Sequence, residues 1–525
     1  MAKSPMRPLL WAMATARRRL FTASAASSPS PSPSPSPSPS SSSAEATASE
    51  VGERKESKPL YRRLSALGRA PAGSVTKTLN KWLREGRTVR ATQLMKYVKE
   101  LRKYNRYSHA LELMEWMANT RGMNMSYTNH AIRLDLISKV KGTESAEEYF
   151  SQLPEPAKNE RTYGSLLNCY CSGKNADKAI SLYNQMKDRN IASSTLVHNN
   201  LMSLYMKLGQ PENAIAQFQE MKSKNIVPDN LTCCILMNCY ASLNDIVSVE
   251  SVIKEMEEGG EVTLQWSAYS TLAAIYSSAG MTMKAESALK QLEGLVDKRD
   301  WMPFHFLISL YAGIGKLGEV KRIWMSLKEV YSNPTNMSYL KMLQALSKLD
   351  DIHGLKLLYE EWESVYTAYD LRLTNLMIGT YLKKDMIREA ESIWQKASER
   401  GAVPDFRTCD LFLDYSLKNK DTGLALRWLE TATSMVKQDE WKLNEDKVDA
   451  FLKAFEEAKD VEGLEEFCKC LRRLKCLDLN AYEALLRTYL AAGKKNPGLH
   501  QRIKDDKIKI SLETKKLLRR VCATN

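Results

Sequence analysis

The 525-residue chain has no run of about 18 consecutive apolar residues, so nothing in it reads as a membrane-spanning helix. Proline is scarce where a fold would lie, with eight of the 18 prolines in residues 74–525. Strand-like alternation is also missing from that stretch, which excludes β architectures and leaves helix. Ten cysteines are present, but there is no C-x-x-C and no Cys/His quartet with zinc spacing, so no metal site is expected. A phosphate-cradling G-x-x-x-x-G-K-[ST] loop is absent. The six histidines (109, 130, 198, 305, 353 and 500) are scattered, and none has a consistent nucleophile or carboxylate partner. Asp350-Asp351 and Glu257-Glu258 read as turn and helix-surface acids rather than paired catalysts. Neither catalysis nor a cofactor is therefore expected.

Acidic residues are missing from the first 44 positions, the first carboxylate being Glu45. Lys3, Arg7, Arg17, Arg18 and Arg19 are interspersed there with Leu9, Leu10, Trp11, Met13 and Leu20. A basic, acid-free, amphipathic N-terminus has the composition of an organellar transit peptide, assigned to residues 1–27. Arg19-Leu20-Phe21 before Thr22 resembles a mitochondrial processing site, which favours the mitochondrion, with the plastid as the alternative. Alternating Ser and Pro from Ser28 to Ser41 cannot bury apolar surface, so residues 28–73 are expected to be an unfolded linker.

The net charge of +14 is carried by the two ends. Residues 1–73 hold 11 Lys/Arg against four acids and residues 471–525 hold 14 against five, leaving 74–470 at −2. Overall charge is thus no argument for a phosphate-binding surface along the middle.

Self-similarity dominates what remains. Tyrosines recur at 170, 205, 240, 276, 311 and 381, spaced by 35 or 36 residues or twice that, with Leu346 filling the gap. Nine residues after most of them stands an alanine (Ala179, Ala214, Ala285, Ala390), and seven further on a long apolar residue such as Met186, Met221, Leu292, Leu327 or Trp362. Cys169 and Cys239 share one place in two repeats, as small core residues do, and suit a reducing compartment. Two short antiparallel helices that bury their apolar faces only against neighbouring copies account for the pattern. Turn signals fall where such helices would end, as at Gly209-Gln210-Pro211 and Pro228-Asp229. Twelve units parse from 91, 126, 160, 195, 230, 266, 301, 336, 371, 406, 445 and 479, after an opening helix over 74–90 and before a basic tail at 514–525.

The segments 161–194 and 196–229 resemble pentatricopeptide motifs, and QMKDRNIA (185–192), EMKSKNIVPD (220–229) and SERGAVPD (398–405) carry that family's repeat ending. The tetratricopeptide opening W-x2-L-G-x2-Y is missing. Residues 78–117 are similar to the opening region of plant organellar proteins of the P class, built of repeats alone, and the resemblance runs from 91 to about 513. It implies an all-α, right-handed superhelical solenoid of about twelve helix-turn-helix repeats. It also implies single-stranded organellar RNA as partner, one base read per repeat by the fifth and last residues of a unit. Carried over, Asn199 with Asp229 and Asn375 with Asp405 resemble uridine-preferring pairs, and Ser270 with Asp300 a guanine-preferring one. The expected preference is U-n-G-n-n-U.

Other units depart from the family pattern, with Met95, His130, Gly164, Cys234, His305 and Leu340 at the fifth position and Asp410, Asp449 and Glu483 in the last three. A carboxylate can accept from cytosine but repels phosphate, so those three suit protein contact better than RNA. Near the C-terminus, Lys494, Lys495, Arg502, Lys504, Lys507, Lys509, Lys515, Lys516, Arg519 and Arg520 cluster. They could hold phosphates without reading sequence, or form the solvated face of a capping helix pair. Three readings follow: a non-catalytic mitochondrial RNA-binding adaptor, a structural repeat protein of a large ribonucleoprotein such as the mitochondrial ribosome, or a protein scaffold without RNA.

Overall fold

The computed structural model describes residues 59–522, apart from 69, 124–125, 259–263, 367–369 and 436–442. The expected transit peptide at 1–27, the linker up to residue 58 and the last three residues of the basic tail lie outside the described residues. All regular secondary structure among the described residues is helical, with one short 3-10 turn at Glu155–Ala157. No described helix is long and apolar enough to cross a membrane.

The described residues form two compact units, divided between Leu295 and Val296. In the first, a short helix at Leu60–Ser65, with Leu60 and Leu64 buried inside the stretch expected to be unfolded linker, and another at Ser74–Arg84 precede six helix pairs, whose first members begin at Ala91, Tyr127, Glu160, Thr195, Asn230 and Trp266. In the second, first helices begin at Met302, Asn336, Leu371, Phe406, Glu445 and Leu479, and Leu512–Cys522 closes the array. Within each unit most first helices pack on their own second helix and on the next pair's first helix. That nesting buries on both sides a helix too short to be stable alone.

The periodic residues each close a helix. The carbonyl of Tyr170 accepts the N–H of Asn175 at 3.0 Å, that of Tyr205 the N–H of Gln210 at 2.9 Å, and that of Tyr381 the N–H of Met386 at 3.0 Å. Each is the six-to-one bond of a Schellman ending, which requires a left-handed residue just before the donor. Lys174, Gly209, Asn244, Gly280, Gly315, Asp350 and Asp385 supply it, with φ between 59° and 79°. The second helices of two pairs end the same way, with Met186 and Met221 carbonyls accepting from Ile191 and Ile226. Ala179, Ala214, Ala285 and Ala390 are fully buried, as are Met186, Met221 and Leu292. A larger side chain at the alanines would hold the paired helices apart.

Candidate nucleic-acid interface

Asn199 lies one turn into the helix Thr195–Leu208, and Asp229 is the N-cap of the next pair's first helix, Asn230–Ser242. An aspartate in that place accepts the otherwise orphaned N–H three residues on, here Thr232 N at 2.8 Å from Asp229 Oδ1. Thr232 completes a capping box, its Oγ1 accepting the Asp229 N–H at 3.0 Å. Asn199 Nδ2 then donates to Asp229 Oδ1 at 3.0 Å. The Thr232 hydroxyl reaches two acceptors, Asn199 Oδ1 at 2.8 Å and Asp229 Oδ1 at 2.9 Å, and the amide oxygen is the one that does not already hold two N–H donors. The sequence-predicted pair is therefore brought together and joined by a third residue.

The second uridine-type pair repeats this arrangement. Asn375 Nδ2 donates to Asp405 Oδ1 at 3.0 Å, Thr408 N to the same oxygen at 2.8 Å, and Thr408 Oγ1 to Asn375 Oδ1 at 2.8 Å. Exposure distinguishes the two copies, since Asn199 is 1% and Asn375 8% exposed. Asp229 is exposed and Asp405 half-buried, while Thr232 and Thr408 are fully buried. The amide nitrogen thus faces the less buried aspartate of each cluster and the amide oxygen the fully buried threonine.

Ser270 and Asp300 fall in different compact units. Ser270 is fully buried, its hydroxyl donating to the Ser267 carbonyl at 3.0 Å, and Asp300 accepts the Met302 N–H at 2.9 Å. Ser270 thus makes a bond within its own helix.

Among the other fifth positions, His130 Nδ1 lies 2.8 Å from the Tyr149 hydroxyl, and burial followed by the Arg133 charge lowers its pKa. His305 Nε2 lies 2.9 Å from Ser338 Oγ. Burial and then the Lys341 ammonium push the His305 imidazole down to about 3, so it is neutral at physiological pH. Gly164, Cys234 and Leu340 are buried and offer a base edge little. Asp410 and Asp449 are each tied to the first helix of the following pair, and Glu483 to the closing helix Leu512–Cys522. Lys447 contacts Asp410 at 3.1 Å, Asn480 donates to Asp449 at 2.7 Å, and Thr514 Oγ1 to Glu483 at 2.5 Å. Their partners lie in the next turn of the array, which gives these carboxylates a structural use that the spacing alone did not show.

The residues missed at the sequence level are those partners, Thr232 and Thr408 foremost. Their signal was present as Asp-x-x-Thr at 229–232 and 405–408, the pattern of a capping box.

The basic cluster divides in two. Lys494 pairs with Glu462 at 3.3 Å and Arg502 with Glu465. Lys504 is exposed, as are Lys515, Lys516, Arg519 and Arg520, which make no ion pair among the described residues. The latter four form one face of Leu512–Cys522, opposite buried Thr514, Leu518 and Val521. Along the array, by contrast, cations meet acids about one repeat away, as in Lys187–Glu220 at 3.2 Å, Lys222–Glu255 at 2.5 Å, Lys328–Glu361 at 2.9 Å and Lys418–Asp385 at 2.9 Å. No group of three or more His, Cys, Asp or Glu among the described residues could hold a metal ion.

Comparison with known proteins places this geometry. The profile described as PPR repeat family matches residues 193–242, and PPR repeat matches 161–191, 231–261 and 373–401. A mitochondrial pentatricopeptide repeat-containing protein of Arabidopsis thaliana is 42% identical over 478 residues, covering 90% of this chain and 94% of that one. Large ribosomal subunit protein mL101 of Arabidopsis thaliana is 43% identical over 464 residues, covering 88% and 94%. The crystal structure of the maize pentatricopeptide repeat protein PPR10 aligns with a TM-score of 0.48 at 16% identity, over 87% of this chain and 64% of that one. Paired helices recurring about every 35 residues, repeat profiles on both compact units and relatives this similar along nine-tenths of the chain lead to one assignment: the chain belongs to the pentatricopeptide repeat family.

Proposed function

We propose that this protein is a non-catalytic mitochondrial RNA-binding adaptor that acts on organellar transcripts by occupying single-stranded RNA. The observation that carries the reading is the repeated Asn–Asp junction, 3.0 Å in both copies, with a carboxylate oxygen and an amide hydrogen left over at each. Short polar groups held this way can meet a base edge by hydrogen bonding. A mitochondrial destination agrees with the basic, acid-free N-terminus and with the names of the relatives. Asn199, Asp229, Asn375 and Asp405 are the base-reading residues of this proposal, with Ser270 and Asp300 in a lesser role. Lys504, Lys515, Lys516, Arg519 and Arg520 add phosphate contacts without sequence preference, helped by Lys494, Lys495 and Arg502 where their acids release them.

Binding to a U-n-G-n-n-U oligonucleotide tests this. Changing Asn199 and Asn375 to Ala is expected to weaken it about tenfold, or about 1.4 kcal/mol, with the larger share from the more exposed Asn375. Unchanged affinity in the folded double variant refutes the reading.

A second reading is favoured by one observation, the similarity to mL101 over most of both chains. Here the solenoid is a structural part of a large ribonucleoprotein such as the mitochondrial ribosome. Its internally paired array and the unpaired basic face of its last helix suit contact with folded RNA.

A further inference from the structure

At four junctions the third residue of a repeat is a hydroxyl that meets the fifth residue of the repeat before it. Where the fifth is Asn199, His305, Asn375 or Glu483, the third residue of the following helix is a hydroxyl, Thr232, Ser338, Thr408 or Thr514. Each hydroxyl lies within hydrogen-bond distance of that fifth side chain, at 2.8, 2.9, 2.8 and 2.5 Å. After Gly164, Cys234 or Leu340 the matching residue is Val197, Ala268 or Leu373, and after the polar Ser270, Asp410 or Asp449 it is Pro303, Lys447 or Ala481, again without a hydroxyl. A helix cap needs only the bond between its own first residues. The additional bond to the preceding repeat is therefore a separate feature of these four units.

At the two Asn units this bond has a chemical consequence. An asparagine amide offers an acceptor at one end and donors at the other, and a half-turn about χ2 exchanges them. The hydroxyl of Thr232 or Thr408 stands 2.8 Å from the amide oxygen on the buried side and 2.9 Å from a carboxylate oxygen that already takes two N–H groups, so its hydrogen is best used on the amide. The NH2 group then points toward the carboxylate of Asp229 or Asp405, with one N–H spent on it and one left. Without the hydroxyl, nothing holds the oxygen inward except the carboxylate's preference for the amide hydrogen.

We propose that Thr232 and Thr408 are positioning residues for base selection, locking the Asn199 and Asn375 amides so that each presents an N–H donor and so favours a keto base over an amino base. Uridine carries an acceptor at the 4-position where cytosine carries an amino donor, so a fixed donor separates the two pyrimidines. This rests on the RNA-reading function above and names what sets its selectivity.

The test uses the full mature protein and two RNA oligonucleotides, U-n-G-n-n-U and U-n-G-n-n-C, which differ at the base assigned to Asn375. The wild type is expected to prefer the uridine oligonucleotide about tenfold. Thr408→Val, which keeps the shape and removes the hydroxyl, is expected to reduce that preference to about twofold or less, and Thr408→Ser to restore it. A folded Thr408→Val protein, judged by its helical circular dichroism, that keeps the tenfold preference overturns the proposal and leaves the RNA-reading function standing. A wild type without preference between the two overturns both. Thr232→Val, read with C-n-G-n-n-U as the mismatched oligonucleotide, gives the same comparison on the independent copy if the loss of the Thr408 cap prevents folding.

Discussion

His305 sits at the fifth position of its repeat, buried beside Ser338 and against the Trp301 ring, whose centroid is 4.6 Å away. Burial, with Lys341 adding to it, holds the imidazole neutral down to about pH 3, whereas in the unfolded chain it gains a proton near 6.5. Between those values the unfolded state binds more protons, so stability rises with pH and is lost as pH falls. The contribution is complete above about pH 6.5 and is diminished by about 2 kcal/mol at pH 5. Denaturant unfolding of wild type and His305→Gln from pH 7 to 5 is expected to show a shallower slope in the variant. Parallel slopes would remove His305 as the source. A histidine at the fifth position of a repeat was legible in the sequence. Its neutrality was not, because desolvation depends on what packs around it.

Helix termini are where the sequence was least informative. Gly209 and Gly280 advertise left-handed turns, but Lys174, Asp385, Lys420 and Lys459 adopt the same conformation without any such signal. Their φ of 53–59° is imposed by the Schellman bonds that close the first helices, as where Asp460 N–H meets the Phe455 carbonyl at 3.1 Å. An L-residue held there costs about 1–2 kcal/mol, part of which glycine returns as extra freedom in the unfolded chain. Lys459 is exposed with φ 53°, so Lys459→Gly is expected to raise stability by about 1 kcal/mol in urea unfolding. A loss of stability would mean that the lysine side chain contributes more than its backbone strain costs.

At the scale of the molecule, charge bears on both functional readings. The middle of the chain is close to neutral, and the structure pairs its cations with acids of neighbouring repeats, as at Lys284–Glu250 and Lys321–Asp351, both 2.7 Å. Exposed pairs of this kind contribute about 0.2–1 kcal/mol each and leave little net field. The unpaired cations of the last helix are then the part best suited to a large phosphate surface. Sedimentation of the tagged mature protein from organelle lysate on a magnesium gradient, with and without ribosome dissociation, separates the readings. The adaptor is expected near the top or in small RNase-sensitive particles. Migration with a ribosomal subunit under both conditions and in moderate salt replaces that reading with the structural one.

The period of about 35 residues, the helical content and the place of the core alanines and tyrosines were determined by the sequence alone. Each follows from spacing along the chain, and helix pairs of fixed length bury the same positions in every copy. The juxtapositions of Asn199 with Thr232 and Asn375 with Thr408, and the ties on Asp410, Asp449 and Glu483, were decided only by the tertiary structure. Those bonds join residues some 30 to 37 positions apart, and they form only when stacking brings the start of one helix beside the preceding repeat's first helix.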